Sequence, residues 1–313
     1  NSRVTLMENR QNTISPVVGR FAPTPSGRLH LGNIFTAMLA WLSAKSAGGR
    51  ILLRIEDLDK ERCPKGSVET LLDDLRWFGF TFDGDILFQS ERGDIYGGLL
   101  KKLEKLIYPC YCSRAQLHAA TAPHGDAPIY SGRCRNLPPD ERPDKNPCLR
   151  LSAPDKTVKF TDIVQGEYTQ NLKTECGDFI VRRADGVYAY QLAVVADDAL
   201  SGVTEIVRGR DLLSSAPRQL YLYEQLGFKA PEFAHVPLLT DENGERLSKR
   251  DGRSNLEYLR KVYSSPQPLI GMLAYNAGLL PEFEPAALDD LIALFDWKKV
   301  KKEDVQLNPC GLF

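Results

Sequence analysis

Nowhere does the 313-residue chain hold the roughly 20 uninterrupted apolar positions that a membrane-spanning helix needs. The longest apolar stretches, such as LLPEFEPAALDDLIALF, are broken by carboxylates and prolines, and no membrane helix is expected. The start of the chain lacks the basic-then-apolar layout of a secretory signal, so the expected compartment is the cytoplasm. An excess of either charge is missing too: 40 Lys and Arg face 41 Asp and Glu, a formal net charge of -1. Any nucleic-acid partner would have to be drawn by local basic patches, because bulk charge supplies no attraction. There is no internal repeat and no low-complexity tract, which excludes solenoid arrays and biased disordered segments. An even set of cysteines is also lacking. Seven thiols in a chain expected to be cytosolic stay reduced, and their spacing is read as metal ligation or core packing instead of a disulfide framework. What is present, 42% hydrophobic and 26% charged residues, is the composition of a soluble globular protein long enough for two or three domains.

Strand-like and helical patterns alternate through the first hundred residues: VVGRFA, a helix from about Leu31, RILLRIE, a helix around SVETLLDDLRWFG, DILF, and a helical GDIYGGLLKKLEKLI. This βαβαβα order predicts a parallel sheet covered on both faces, a Rossmann-like doubly wound α/β fold. The rhythm breaks at Pro109. From there to about Gly186 come clustered Cys, Pro and Gly with short strand-like runs, CLRLSA, TVKFTDIV and DFIVRR, which read as a small inserted domain. Alternation resumes through VYAYQLAVVADD, TEIVRG, a helix in APRQLYLYEQLGF, and FAHVPLL, and is followed by the polar loop TDENGERLSKRDGRS. The expected division is residues 16–108 and 187–254 for the two halves of a catalytic domain, 109–186 for the insert, and 255–313 for a short, purely helical C-terminal region.

The segment RFAPTPSGRLHLGN, Arg20 to Asn33, occupies the first strand-to-helix turn. In a parallel sheet that turn presents free backbone N–H groups and a positive helix end to an anion. Gly27 and Gly32 would allow close backbone approach, two prolines would stiffen the loop, and His30 and Asn33 would add side-chain donors, so the segment reads as a phosphate and adenine cradle. A second feature, RLSKR at Arg246 to Arg250, places Ser248 and Lys249 on a polar loop from which a lysine can reach a triphosphate and stabilise developing charge. Separately, Cys110, Cys112 and Cys134 lie close together in a loop-rich segment and suit one tetrahedral structural zinc per chain. On chemistry alone the fourth ligand stays open among His118, His124 and Tyr130.

PTPSGRLHLGN and RLSKR together resemble the two signatures of class I aminoacyl-tRNA synthetases, with Asn33 where a second histidine often stands and Arg and Leu opening the second signature. The resemblance covers roughly Val17 to Ser254. RFAPTPSG, LLRIEDLD, DFIVRRADGVYAYQLAVVADD and GVTEIVRGRDLL are similar to the glutamyl-tRNA synthetase subfamily, and within it to the short paralogues, the glutamyl-Q tRNA(Asp) synthetases. The resemblance implies ATP with Mg2+ bound by Gly27, His30, Gly32, Asn33, Ser248 and Lys249, with His30, Asn33 and Lys249 acting on the phosphates. It implies L-glutamate held by Arg20, Ala22, Thr24 (a serine in most relatives), Glu56, Tyr190 and Arg208. Independently of that likeness, a free dicarboxylic amino acid needs guanidinium groups for its carboxylates and an acid for its ammonium, and Arg20, Arg208 and Glu56 are predicted at carboxyl ends of strands. The paralogues' metal site resembles C-x-C followed by Y-x-x-x-C, which implies Tyr130 as the fourth zinc ligand.

About sixty residues follow RLSKR, too few for the anticodon-reading region of a full glutamyl-tRNA synthetase. The expected activity is therefore glutamate activation and transfer to the queuosine base of tRNA(Asp) by a monomer. Two rivals stand beside it. One is a truncated glutamyl-tRNA synthetase charging the 3' end of tRNA(Glu); the other is a tRNA-binding module that has lost catalysis.

Overall fold

The computed structural model describes residues 16–112, 129–130, 132–241, 243–247 and 255–307. Strand β1 (Val18–Phe21) pairs in parallel with β2 (Arg50–Ile55), and β2 with β3 (Leu87–Phe88). The insert supplies β4 (Ile107–Cys110), β5 (Cys148–Leu151), β6 (Thr157–Asp162), β7 (Gly166–Asn171) and β8 (Phe179–Arg182). A second parallel pair, β9 (Glu205–Gly209) with β10 (Glu232–Val236), abuts β1: the Thr204 N–H donates to the Val18 carbonyl at 2.9 Å, and the Val18 N–H to Thr204 Oγ1 at 2.9 Å. The spatial order is therefore β3-β2-β1-β9-β10, the doubly wound arrangement expected from the alternation.

Period-2 alternation decides how the sheet is covered. Ile51, Leu53, Val207, Ala234 and Val236 join one core, whereas the intervening Leu52, Ile206 and Phe233 pack on the opposite face with Ala216. Helix α1 (Leu31–Ser46) buries residues on almost every side, among them Leu31, Phe35, Met38, Leu39 and Leu42, so it lies beneath the sheet as a core helix. Helices α2 (Ser67–Trp77) and α3 (Gly93–Lys102) follow β2 and β3; α4 (Tyr190–Leu200) and α5 (Ala216–Leu226) flank β9; α6 (Leu256–Val262) and α7 (Gln267–Ala277) come last. Among the described residues no helix is long and apolar enough to cross a membrane.

Three local expectations are corrected. The helical reading of GDIYGGLLKKLEKLI ends at Lys102, because IYPC forms β4, where Pro109 sits opposite Leu149 in an antiparallel ladder. GEYTQN, which carried no strand signal, is β7: every residue of TVKFTD finds a partner there, so pairing overrides weak propensity. The region after 255 is not purely helical, since β12 (Val305–Gln306) pairs in parallel with β11 (Leu239–Thr240).

Within the insert, β4, β5 and β8 make one antiparallel sheet, while the β6–β7 hairpin packs against β10. The Ile163 N–H donates to the Phe233 carbonyl at 2.8 Å, and the Phe160 and Phe233 rings meet edge to face at 5.8 Å. The hairpin thereby covers part of β10.

Candidate active site

A cavity of roughly 320 Å³ opens at the carboxyl ends of β1 and β9, where the strand order reverses and the two halves of the sheet diverge. All six residues expected to hold the amino acid line it: Arg20, Ala22, Thr24, Glu56, Tyr190 and Arg208. Three of the residues expected at the nucleotide, His30, Gly32 and Asn33, form another part of its wall. Gly27 does not line it. With φ of 113°, Gly27 instead provides the left-handed backbone that the turn into α1 requires.

The turn explains its own composition. Asn33 Oδ1 accepts the His30 N–H at 3.1 Å and His30 Nδ1 accepts the Gly32 N–H at 3.1 Å, a reciprocal cap on the first turn of α1. Since Nδ1 accepts, the imidazole proton lies on Nε2, and the ring offers an N–H as donor. A Cβ on Gly32 would stand 3.0 Å from the His30 ring, so any larger residue there would crowd the cap.

Behind the cavity wall lie two charged residues that sequence reasoning left unassigned, Arg54 and Asp198. Arg20 is 5% exposed; its Nε donates to Asp198 Oδ1 at 3.2 Å and its Nη1 to the Val207 carbonyl at 3.0 Å. Arg54 donates to the same Asp198 oxygen at 2.6 Å and to Glu56 Oε1 at 3.3 Å. Burial opposes ionisation of Asp198, but Arg54 and Arg20 outweigh it and hold the carboxyl below its ordinary range. Glu56 goes the other way: burial raises its pKa by more than Arg54 and Arg20 lower it, so a cationic ligand beside it would favour its ionised form. The VVADD run contained Asp198, yet an acid on an apolar helix carries no label of which arginine it meets.

Arg208 is 4% exposed, and burial lowers its pKa. Its Nε donates to His235 Nε2 at 2.9 Å, its Nη1 to Gln219 Oε1 at 2.7 Å and its Nη2 to the Leu212 carbonyl at 3.4 Å. Burial also raises the pKa of Tyr190, at the start of α4, so its hydroxyl stays protonated and able to donate. The cavity thus gathers two guanidinium groups, a carboxylate and a phenol beside the positive end of α1, a set complementary to an amino acid with two carboxylates joined to an anion.

The second signature borders the same cavity. Arg246 and Leu247 line it; Leu247 is buried in the main core, its N–H donating to the Leu239 carbonyl at 2.9 Å, and Arg246 pairs with Asp211. Ser248 and Lys249 lie outside the described residues. Arg246 and Asp211 were not assigned from sequence; the loop motif itself was the only signal for Arg246.

The thiols of Cys110, Cys112 and Cys134 converge, their sulfur atoms all within 4.8 Å of one another. The Tyr130 hydroxyl joins them at 3.4 Å from Cys110 Sγ and 3.7 Å from Cys112 Sγ, which gives four donor atoms around one point. Hydrogen bonding, first from Cys148 and then from Tyr130, lowers the pKa of the Cys110 thiol against the effect of its burial, whereas burial raises that of Cys112. His118 and His124 lie outside the described residues.

Known proteins bear on this geometry. The family model for the catalytic domain of class I tRNA synthetases (E and Q) matches residues 16–293. A glutamyl-Q tRNA(Asp) synthetase of Symbiobacterium thermophilum is 48% identical over 309 residues, covering 92% of this chain and 95% of that protein. Another of the same name from Geobacter sulfurreducens is 49% identical over 307 residues, covering 90% and 96%. Among solved structures, a glutamate tRNA ligase from Elizabethkingia meningosepticum in complex with its amino acid superposes with a TM-score of 0.80 at 29% identity, covering 95% of this chain and 68% of that one. A cavity assembled from both signature segments, in a chain matched along nearly all its length, leads to one conclusion: the chain belongs to the class I tRNA synthetases of the glutamyl and glutaminyl branch, within the glutamyl-Q tRNA(Asp) synthetase family.

Proposed function

We propose that the protein activates L-glutamate with ATP and Mg2+ and transfers the glutamyl group to queuosine in tRNA(Asp). The observation that carries this reading is the single cavity in which Arg20, Arg208 and Glu56 meet the His30–Asn33 cap of α1. The two arginines take the carboxylates, Glu56 takes the ammonium, and the substrate α-carboxylate attacks the α-phosphorus of ATP. The bond to the β-phosphate breaks and pyrophosphate leaves. This displacement needs alignment and charge neutralisation more than acid–base chemistry. His30 Nε2–H, Asn33 and the helix N-terminus face the phosphates, and Lys249 adds its charge where negative charge builds up. In the second step a hydroxyl of the queuosine cyclopentene diol attacks the glutamyl carbonyl and loses its proton, the bond from that carbon to the adenylate oxygen breaks, AMP leaves, and an ester forms.

Cys110, Cys112, Tyr130 and Cys134 are proposed as the ligands of one structural Zn2+, a group that would tie the small β4–β5–β8 sheet together where apolar packing is scant. Among the described residues the buried cluster on that face is Tyr108, three cysteines and Ile180. Residues 109–186 are assigned to a metal-holding insert facing the acceptor, 16–108 and 187–254 to the catalytic halves, and 255–313 to a C-terminal region. A cytoplasmic monomer completes the proposal.

The deciding experiment offers radiolabelled glutamate and ATP with tRNA(Asp) from queuosine-making cells and from cells unable to make it. A site built to hydrogen-bond a diol rejects an acceptor lacking it by a large factor. Label is expected only on the first, released by mild alkali. Label on tRNA(Glu), or equally on both tRNA(Asp) preparations, would identify a tRNA 3' end as acceptor. ATP–pyrophosphate exchange with glutamate and no tRNA is expected to proceed; its absence under every condition would remove the enzymatic reading.

A further inference from the structure

Arg20 and Arg208 face one cavity but are held from behind in different ways. Arg20 leans on a carboxylate, Asp198, fully buried and shared with Arg54. Arg208 leans on a ring nitrogen, an amide oxygen and a main-chain carbonyl, all neutral. Arg208 and His235 are register partners on the parallel strands β9 and β10, so their side chains project side by side from the same face.

The neutrality of His235 follows from its partners. A guanidinium can only donate, so the His235 Nε2 facing Arg208 Nε must accept. The other ring nitrogen, Nδ1, then carries the proton and donates to Asp162 Oδ2 at 2.5 Å. Asp162 comes from the tip of the β6–β7 hairpin and is itself fixed by the backbone N–H groups of Val164, Gln165 and His235. Burial lowers His235 to about 4, in keeping with a ring that stays neutral. On the other side, Gln219 accepts from Arg208 with Oε1 and donates through Nε2 to Gln191 Oε1 at 2.8 Å, and Gln191 donates to Ser215 Oγ at 3.2 Å. His235, Gln219 and Ser215 are all fully buried. The direction of every hydrogen bond in the chain is thereby set.

We propose that His235, oriented by Asp162, and Gln219 are positioning residues for Arg208, and that their neutrality is functional: they aim the guanidinium without placing a carboxylate in hydrogen-bond contact with it, so that direct pairing is left for the substrate carboxylate. This rests on Arg208 being a substrate ligand, as the proposed function has it. An anion behind Arg208 would hold it equally well but would weaken its pull on the ligand. Arg20, already paired with Asp198, cannot substitute for that pull.

Gln219→Glu tests the idea at constant shape. It places a carboxylate against Arg208 Nη1, and Gln191 can turn its amide to match. ATP–pyrophosphate exchange is measured at varied glutamate and varied ATP, with thermal melting alongside. The expected result is a glutamate KM raised roughly tenfold or more, an ATP KM within about twofold of wild type, and a melting temperature no lower than wild type. His235→Gln, which keeps a neutral acceptor near the Nε2 position, is expected to retain most glutamate affinity, whereas His235→Leu loses it. A Gln219→Glu protein with wild-type glutamate KM would overturn the proposal, as would equal losses in His235→Gln and His235→Leu. Wild-type protein without glutamate-dependent exchange would instead remove the functional reading beneath it.

Discussion

Asp198→Asn is the substitution whose cost the structure defines most sharply. Asp198 is fully buried and accepts from Arg20 at 3.2 Å and Arg54 at 2.6 Å, with the Arg54 side chain 3% exposed. An asparagine keeps the shape but removes the charge between two buried guanidinium groups. Breaking a buried ion pair from one side costs about 3–5 kcal/mol, because the partner charge is left uncompensated. With an unfolding entropy of about 2.1 cal/mol/K per residue, a chain of 313 residues converts that loss into a fall in melting temperature of about 5–8 °C. The pH dependence has a definite sign. Asp198 is held below its ordinary pKa, so its contribution is complete above the unfolded value and fades as pH falls through the folded one. The gap between wild type and Asp198→Asn should therefore be constant near neutrality and shrink below about pH 4. Differential scanning calorimetry at several pH values reads both quantities. A melting temperature within about 1 °C of wild type at pH 7, or a gap that persists undiminished at the lowest pH, would show that the carboxylate charge does not hold this cluster together.

Lys249→Ala should lower adenylate formation roughly 10²-fold, by analogy with removal of one preorganised donor, while glutamate binding measured by calorimetry stays near wild type; unchanged exchange would mean the second signature loop has been misread. Protein purified without added zinc should contain about one metal per chain, and Cys112→Ala should release it. Tyr130→Phe should weaken retention of that metal under chelator competition, whereas His124→Ala should not; the reverse pattern would reassign the fourth ligand. Arg20→Lys should raise the glutamate KM, because an ammonium cannot reproduce both the fork toward substrate and the contacts to Asp198 and the Val207 carbonyl.

Local sequence determined the parts of this protein whose causes are local. Strand and helix alternation set the order β1-α1-β2-α2-β3, because periodicity of apolar residues is written within each element. The turn PTPSGRLHLGN was legible as a strand-to-helix turn for the same reason, but its detail was not: His30 and Asn33 cap each other, and Gly27 supplies left-handed backbone instead of lining the cavity. Three cysteines within 25 positions likewise announced a cluster that the fold closes to sulfur separations under 4.8 Å. What only tertiary structure decided is what stands behind each functional side chain. Asp198 meets Arg20 across 178 positions, Asp162 meets His235 across 73, and Arg208 finds Gln219 only because α5 returns over β9. Burial then separates residues of one type: Asp198 is driven below the usual carboxylate range by two guanidinium groups, whereas Glu56, near the same arginines, is driven above it by desolvation. Charge in a dry interior takes its value from neighbours that the fold, and not the adjacent sequence, supplies.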